Sequence, residues 1–598
     1  MIKLSDYVMQ YISGLGVKFV FMLPGGGSMH LVDSLGRCRK LKYVANLHEQ
    51  ACAIAADAYS QYTGNIGVAL VTTGPGGTNT ITGVTSSWIE SSPVLFISGQ
   101  VKRGDLIGKS GLRQKGFQEA DIVSLVKPIT KYAVTIMNPD SIRYHLEKAV
   151  YLAKNGRPGP VWLDIPLDVQ GAFIDEKRLR PFLEPKKHKD VKGLEPKINR
   201  LIRLINSSKR PVILVGNGVR LSGGVGEFKK LLVRCRIPVL TTWRTVDLLP
   251  EDHELFIGRP GAVGQRAANF AQQNADLIIC IGARLDLGQT AFNHKNFALC
   301  AKKVIVDIDI REINKLTADI ELKFNIDAKF FLERLNAKKN RIHADVSLWL
   351  KQCREWKKKY PVVLDKYARI KGRVNTYVLV NALSDLLKSD DVIVPGSSGT
   401  CSEITMQAFK IKNGQRFFNS PGLGSMGFGL PASIGACFAS GRRRVVCIVG
   451  DGGLQHNIQE LELLKRYRLP IKLFVLNNFA YASIRATQNK FFKGNLVGCD
   501  PSSGLTVPDT VKIARAYGLK AVKIGAQANL KSKLKKVFAY NGPVVCDVNI
   551  EPDLMTQPKA VSEVTPDGRI VSRPMEDLWP FLSRSEFNAN MACSRKNR

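Results

Sequence analysis

Val445-Val446-Cys447-Ile448-Val449-Gly450-Asp451-Gly452 is an apolar run that ends abruptly in an acid held between two glycines. Its length and its β-branched residues mark a strand buried on both faces, as in a parallel sheet. A helical pattern through Ile458, Leu461 and Leu464 follows, and then a second apolar strand, Ile471 to Leu476, which ends in Asn477-Asn478. Asp451 and Asn478 therefore stand at the carboxyl ends of two neighbouring strands, where open α/β sheets bind ligands. Both offer hard oxygen donors. Mg²⁺ takes about six oxygens in octahedral array and commonly shares them between carboxylates and phosphates, so the pair suits a Mg²⁺-diphosphate. Gly450 and Gly452 let backbone approach the phosphates, and the helix that starts there favours an anion. A Gly-Asp-Gly triplet alone also serves as a structural turn; the strand, helix, spacing and Asn-Asn around it favour the ligand reading.

The same strand–helix alternation extends in both directions. Towards the N-terminus, Phe19 to Leu23, Ile66 to Thr73, Val94 to Gly99 and Val161 to Ile165 read as strands, and Glu49 to Thr63 as a helix. A second alternating segment holds Pro211 to Gly216, Leu277 to Ile281 and Lys303 to Ile308. The expected fold class is α/β, with three doubly wound parallel-sheet domains at 1–175, 196–335 and 374–555 and a C-terminal arm at 556–598. The charged stretch from Arg178 to Lys197 reads as a linker, the polar region from about Phe330 to Arg373 as a connector with a solvated helix face, and Met575 to Leu582 as a short helix in the arm.

At 598 residues with 44% apolar composition, the chain has ample material for several buried cores. It carries 87 Lys and Arg against 51 Asp and Glu, a net charge of +36 that attracts polyanions whatever the fold. The basic residues are scattered, with concentrations near 338–341, 351–359 and 594–598, and no aromatics interleave them as a base-stacking platform requires. No specific nucleic-acid partner is expected. The start of the chain has no signal-peptide pattern and no apolar run approaches the roughly 18 residues of a membrane span, so a cytoplasmic protein is expected. Twelve cysteines lie scattered, with no Cys-x-x-Cys pair, which argues for reduced thiols and against a zinc site.

Leu47-His48-Glu49-Gln50-Ala51 places one acid at the head of a helix of small apolar residues. A buried carboxylate there holds or shares a proton near neutrality, while a helix-terminal Glu also simply stabilises the dipole. Taken with Pro24-Gly25-Gly26-Gly27, Thr73-Gly74-Pro75-Gly76-Gly77-Thr78-Asn79, Gly116-Phe117-Gln118-Glu119, Gly156-Arg157-Pro158-Gly159-Pro160, Gly422 to Gly429 and the Gly450-Asp451-Gly452 motif, the chain resembles the thiamine diphosphate enzymes from end to end. It is most similar to the catalytic subunits of the acetolactate synthase family.

That resemblance implies a pyrimidine-binding first domain, a central domain and a diphosphate-binding third domain. It implies thiamine diphosphate and Mg²⁺ as cofactors, with Glu49 as the general acid/base beside the aminopyrimidine ring. Pro24, Gly25 and Gly74 would bind the cofactor, Phe117 and Gln118 would line the neighbouring subunit's site, Gly424 would meet the amino group, and Met426 would hold the cofactor bent. Gly450 and Gly452 would approach the diphosphate. Asp451, Asn478 and the Ala480 carbonyl would ligate Mg²⁺. In the middle domain, Arg284 and Asp307 would contact FAD in a structural role. The first domain of one subunit and the third of another would share each site, which implies a homodimer or homotetramer acting on a small 2-oxo acid.

The implied reaction decarboxylates a 2-oxo acid such as pyruvate and joins the remainder to a second carbonyl, the step that opens branched-chain amino acid biosynthesis. Two positions depart from the family. Leu167 replaces a Lys near the substrate entrance, and Thr487 replaces a Trp that shapes the acceptor pocket. Arg485, in Tyr481 to Gln488, is either a partner for a carboxylate or polar acceptor or an ordinary surface cation. The alternatives are therefore a 2-oxo acid decarboxylase or oxidase, and a carboligase with a keto-sugar acceptor, as in similar proteins of surface-polysaccharide gene sets. A noncatalytic anion-binding protein is the reading from another class, and the presence of Glu49, Asp451 and Asn478 argues against it.

Overall fold

The computed structural model describes residues 1–185, 193–369, 372–564 and 567–591. Each of the three α/β segments forms a six-stranded, wholly parallel sheet flanked by helices. In the first the strand order is Lys42–Ala45, Phe19–Met22, Gly67–Val71, Val94–Gln100, Val161–Pro166, Tyr132–Thr135. The central order is Phe256–Gly258, Val239–Thr241, Pro211–Val215, Leu277–Ile281, Lys302–Val306, Leu322–Phe324. In the third it is Arg416–Phe417, Val392–Pro395, Val445–Gly450, Ile471–Asn477, Val544–Asn549, Lys520–Ile524. Strands such as Gly67–Val71 and Leu277–Ile281 are buried at every residue, which is why they read as unbroken apolar runs rather than alternating ones.

In each sheet the chain begins near the middle, steps outward one way and then crosses back to build the other half. The reversal falls between Phe19–Met22 and Gly67–Val71 in the first domain, between Pro211–Val215 and Leu277–Ile281 in the central one, and between Val392–Pro395 and Val445–Gly450 in the third. At such a reversal the two outgoing loops diverge and leave a crevice at the carboxyl edge. The first domain closes on itself: Ile2–Lys3 pairs antiparallel with Phe173–Ile174.

Helix Glu49–Thr63 joins the first domain to the third. His48 caps it, its Nδ1 accepting from the Gln50 N–H at 3.1 Å, and Gly64 at φ +68° ends it. Its run of small residues lets it lie against helix Gly429–Ala439 at backbone distance; a Cβ on Gly435 would stand 2.2 Å from the Ala55 carbonyl oxygen.

Elsewhere the domains are joined by buried ions. Asp247 of the central domain has a fully buried side chain between Arg220, which grips it with two bonds of 2.7 and 3.0 Å, and Arg416 of the third domain at 3.0 Å. Burial pushes its carboxyl up, but Arg220 and Arg416 overcome that and hold it below the usual range.

The connector is more than a solvated link. Helix Ser347–Lys359 turns Lys351, Arg354 and Lys358 outward but buries Trp349, Leu350, Cys353 and Trp356 in the central core. In the arm, Met575 to Leu582 is not helical. Pro580 lacks an N–H and keeps the residue before it out of helical backbone, so the helix forms after it, at Arg584–Asn590, with Ser583 capping the Glu586 N–H. Of the expected linker, 186–192 lie outside the described residues, as do the basic residues 594–598. Ten cysteines are free thiols, nine of them buried, whereas Cys300 is disulfide-bonded, contrary to the expectation of reduced thiols throughout. Among the described residues no helix is long and apolar enough to cross a membrane.

Replacing Asp247 by Ala leaves two guanidinium groups facing each other without an anion. The expected cost is about 3–5 kcal/mol, read from the denaturant unfolding midpoint. Because the folded carboxyl is depressed, the deficit relative to the parent is full above about pH 4 and closes only below it, as the native Asp247 itself becomes protonated.

Candidate active site

The first domain carries one half of the candidate site at its carboxyl edge. Pro24 and Gly25 follow strand Phe19–Met22, and Gly25 packs on Thr72, at the end of the strand across the reversal. The next turn brings Gly74, at φ +60°, against the loop of Phe117 and Gln118; a Cβ on Gly74 would lie 2.2 Å from the Gln118 carbonyl oxygen. Glu119 holds that loop closed by accepting from the N–H groups of Ile107, Lys115 and Gly116, and it leaves Phe117 87% exposed. Glu49 is 8% exposed and accepts from Asn79 Nδ2 at 3.0 Å. Pro24, Gly25, Glu49, Gly74, Phe117 and Gln118 thus share one rim.

The third domain carries the other half. Asp451 opens helix Asp451–Gln455 and is buried. It accepts from the Gly452 N–H at 2.8 Å, the Phe479 N–H at 2.8 Å and the Asn478 N–H at 3.2 Å. Burial still pushes its carboxyl up to about 6 against those donors. Asn478 and Ala480 lie beside it, the Asn478 Oδ1 accepting from the Ala480 N–H. Met426 and Tyr481 face Gly452 closely, and Gly424 stands over the Ser397 carbonyl.

Gly424, Met426, Gly450, Asp451, Gly452, Asn478 and Ala480 are therefore one cluster. Its donors are a carboxylate, an amide and backbone carbonyls, and no group of three or more His, Cys, Asp or Glu gathers among the described residues. A buried carboxylate with no cationic side chain as partner, set beside the Asn478 amide oxygen, fits a hard cation such as Mg²⁺ that also takes phosphate oxygens. No hydrogen bond among the described residues joins Glu49 to Asp451 or Asn478 within the chain.

What joins the halves from behind escaped sequence reading. Glu460 of the third domain is fully buried and accepts from Asn46 Nδ2 and the Leu47 N–H, each at 2.9 Å, two and three residues before Glu49. Burial raises its carboxyl to about 7. Asn457 donates to Gln50 and to the Gly427 carbonyl. An acid inside the apolar pattern Ile458, Leu461 and Leu464 was the available signal.

Arg284 and Asp307 lie elsewhere, in a cavity of about 1110 Å³ where the three domains meet. Asn217, Gly218 and Gly282 line it at the reversal of the central sheet, facing Glu90, Arg157 and Arg244. Arg284 donates to the Ile89 carbonyl at 3.0 Å and pairs with Asp286. Asp307, raised to about 6 by burial, accepts from the Asp309 N–H. A crevice of this size, with glycines at the strand ends and half-buried arginines in its wall, fits an elongated phosphate-bearing dinucleotide.

Leu167 heads the short helix Leu167–Gly171. Thr487 gives its hydroxyl to the Ser483 carbonyl. Arg485 donates to the Pro552 carbonyl at 2.6 Å and pairs with Asp553 at 2.9 Å and Asp500 at 3.7 Å, so its charge is already matched by protein groups.

Three family models match the chain: the N-terminal TPP-binding domain of thiamine pyrophosphate enzymes over residues 2–125, their central domain over 198–335 and their C-terminal TPP-binding domain over 397–548. Among curated relatives, a probable acetolactate synthase large subunit of Methanocaldococcus jannaschii is 35% identical over 98% of both chains. The acetolactate synthase large subunit of Lactococcus lactis is 33% identical over 91% of this chain and 92% of its own, and that of Haemophilus influenzae 30% identical over 96% and 99%.

Gly74→Ala forces a left-handed backbone on a residue with a Cβ and drives that Cβ into Gln118. The expected cost is about 1–3 kcal/mol, together with faster proteolytic cleavage in the 106–118 loop than in the parent. Equal cleavage rates would show that the turn does not hold the loop.

Proposed function

The chain belongs to the thiamine pyrophosphate enzymes, within the acetolactate synthase large-subunit family, and on that premise we propose that it decarboxylates a 2-oxo acid, pyruvate in the first instance, and ligates the product to a second carbonyl compound. The observation that carries this reading is the pair of half-sites: a buried acid on the first-domain rim and a buried carboxylate–amide–carbonyl set on the third-domain rim. Each half lacks what the other has. We therefore assign the working enzyme as at least a homodimer, in which the first domain of one protomer faces the third of its partner.

Thiamine diphosphate, when bound, supplies a carbanion that adds to the 2-oxo acid and an electron sink for the carboxylate's departure. The chain's own residues bind, orient and move protons. Asp451, Asn478 and the Ala480 carbonyl would hold Mg²⁺, and the helix beginning at Asp451 would receive the diphosphate. Glu49, kept from bulk water and oriented by Asn79, would exchange a proton with the pyrimidine ring. Met426 would support the cofactor from the side. The large cavity would bind FAD through Arg284 and Asp307 as a structural group.

With Leu167 in place of a cation and Arg485 paired with Asp500 and Asp553, neither position holds a free positive charge for an acceptor's carboxylate, so these two departures do not separate a second 2-oxo acid from a keto-sugar.

Purified protein with thiamine diphosphate, Mg²⁺ and pyruvate should release CO₂ and form acetolactate, and Glu49→Gln should lower both by about 10²–10⁴-fold. CO₂ without acetolactate would sink the ligase reading and leave a decarboxylase. Arg284→Ala should purify with less bound flavin, seen as reduced absorbance near 450 nm per mole of protein.

A further inference from the structure

Asp164 lies on strand Val161–Pro166, the fifth of the first sheet's six, and is buried. Three groups donate to it: Ser98 Oγ to Oδ1 at 2.6 Å, and Thr135 Oγ1 and Gln100 Nε2 to Oδ2 at 3.1 and 3.2 Å. Ser98 has no slack, because its oxygen also accepts from Trp162 Nε1 at 2.9 Å. Gln100 is fully used as well. Its second amide hydrogen goes to the Ala120 carbonyl at 3.0 Å, and its Oε1 accepts from Thr73 Oγ1 at 2.6 Å and the Val101 N–H at 2.9 Å.

Thr73 precedes Gly74, and Ala120 ends the loop that carries Phe117 and Gln118. These are the two segments that meet where Gly74 abuts the Gln118 carbonyl. We propose that Asp164 is a positioning residue for the first-domain half-site, acting through Gln100 to set the Thr73-Gly74 turn and the Gly116–Ala120 loop in register, and that its ionised form is the one that does so. The role in cofactor binding rests on the function proposed above; the coupling of the segments does not.

The three donors favour the anion. A carboxylate accepts from all three as they stand; a carboxylic acid turns one acceptor into a donor, which the Gln100 amide cannot receive and the Thr135 hydroxyl receives only by giving up its own donation. The longest of the three bonds, to Gln100, is the one that leads to the rim. Burial raises the Asp164 carboxyl to about 7, against the pull of Ser98, Gln100 and Thr135, and Asp121 is the charged neighbour that adds to the rise. As pH falls through that value the anion is lost and the rim loosens.

The test uses the full-length protein without cofactor, following amide hydrogen exchange at a fixed pH of 8 in segments 72–78 and 116–120. Asp164→Asn should speed exchange in both by about tenfold, with segments around Asp247 unchanged. Equal rates in a folded D164N protein overturn the proposal.

Thr135→Val, which touches neither segment, keeps the idea testable if D164N does not fold. With one donor to the anion lost, the Trp162 indole N–H resonance, which follows Asp164 through Ser98, should titrate with a midpoint at higher pH than in the parent. An unmoved midpoint overturns it too. Thiamine diphosphate affinity at saturating Mg²⁺ should fall about tenfold in D164N, with the rate at saturating cofactor kept within about twofold. A parent that binds no thiamine diphosphate defeats the function reading, while the exchange and indole measurements still decide the coupling.

Discussion

The structure depends first on one close contact, Gly435 against the backbone of Ala55. Two helices from different domains approach this near only if neither carries bulk at the crossing, so Ala51 to Ala58 and Gly429 to Ala439 are built from small residues. That approach sets the first domain on the third and brings Glu460 under the loop that leads into Glu49. A single added methyl at Gly435 would push apart the surfaces that keep Glu460 buried, and with them the backbone that aims Glu49. The site acid is thus placed by packing many residues away.

The central domain is fastened by charge rather than by small-residue packing. Asp247 between Arg220 and Arg416 bridges the central and third domains, and Arg157 with Glu312 and Glu90 with Arg244 bridge the first and central domains in the wall of the large cavity. These pairs account for only a few of the 87 basic residues. Most of the +36 surplus stays on the surface, as on the outer face of helix Ser347–Lys359, where Lys351, Arg354 and Lys358 point to solvent. The same helix shows how a charge run can hide a core element, because Trp349 and Trp356 anchor its other face.

Much of this was legible in the order of residues. Strands such as Val445 to Val449 announce themselves because they are buried on both faces, and Glu49–Thr63 because a capping residue and a terminal glycine bracket a run of helix formers. The metal-side cluster was legible because its donors follow directly on such strands. Glu460, Gln100 and Asp164 were not, because their meaning comes from partners 414, 27 and 64 positions away and no local period records that distance. The arm's helix was misplaced by a few residues because the backbone turns at Met575 to Asp577, burying Met575 against Ala262 and Ala291 of the central domain, and becomes helical only after Pro580.

The short antiparallel pairing of Ile2–Lys3 with Phe173–Ile174 carries a consequence of its own. It brings the two ends of the first domain's chain to one point. A unit whose ends lie side by side can be joined to its neighbours in another order without rethreading its sheet, provided the surfaces it packs against are kept. Genes encoding the same three domains in a different sequence, or on separate chains, would therefore be able to build the same pair of facing rims.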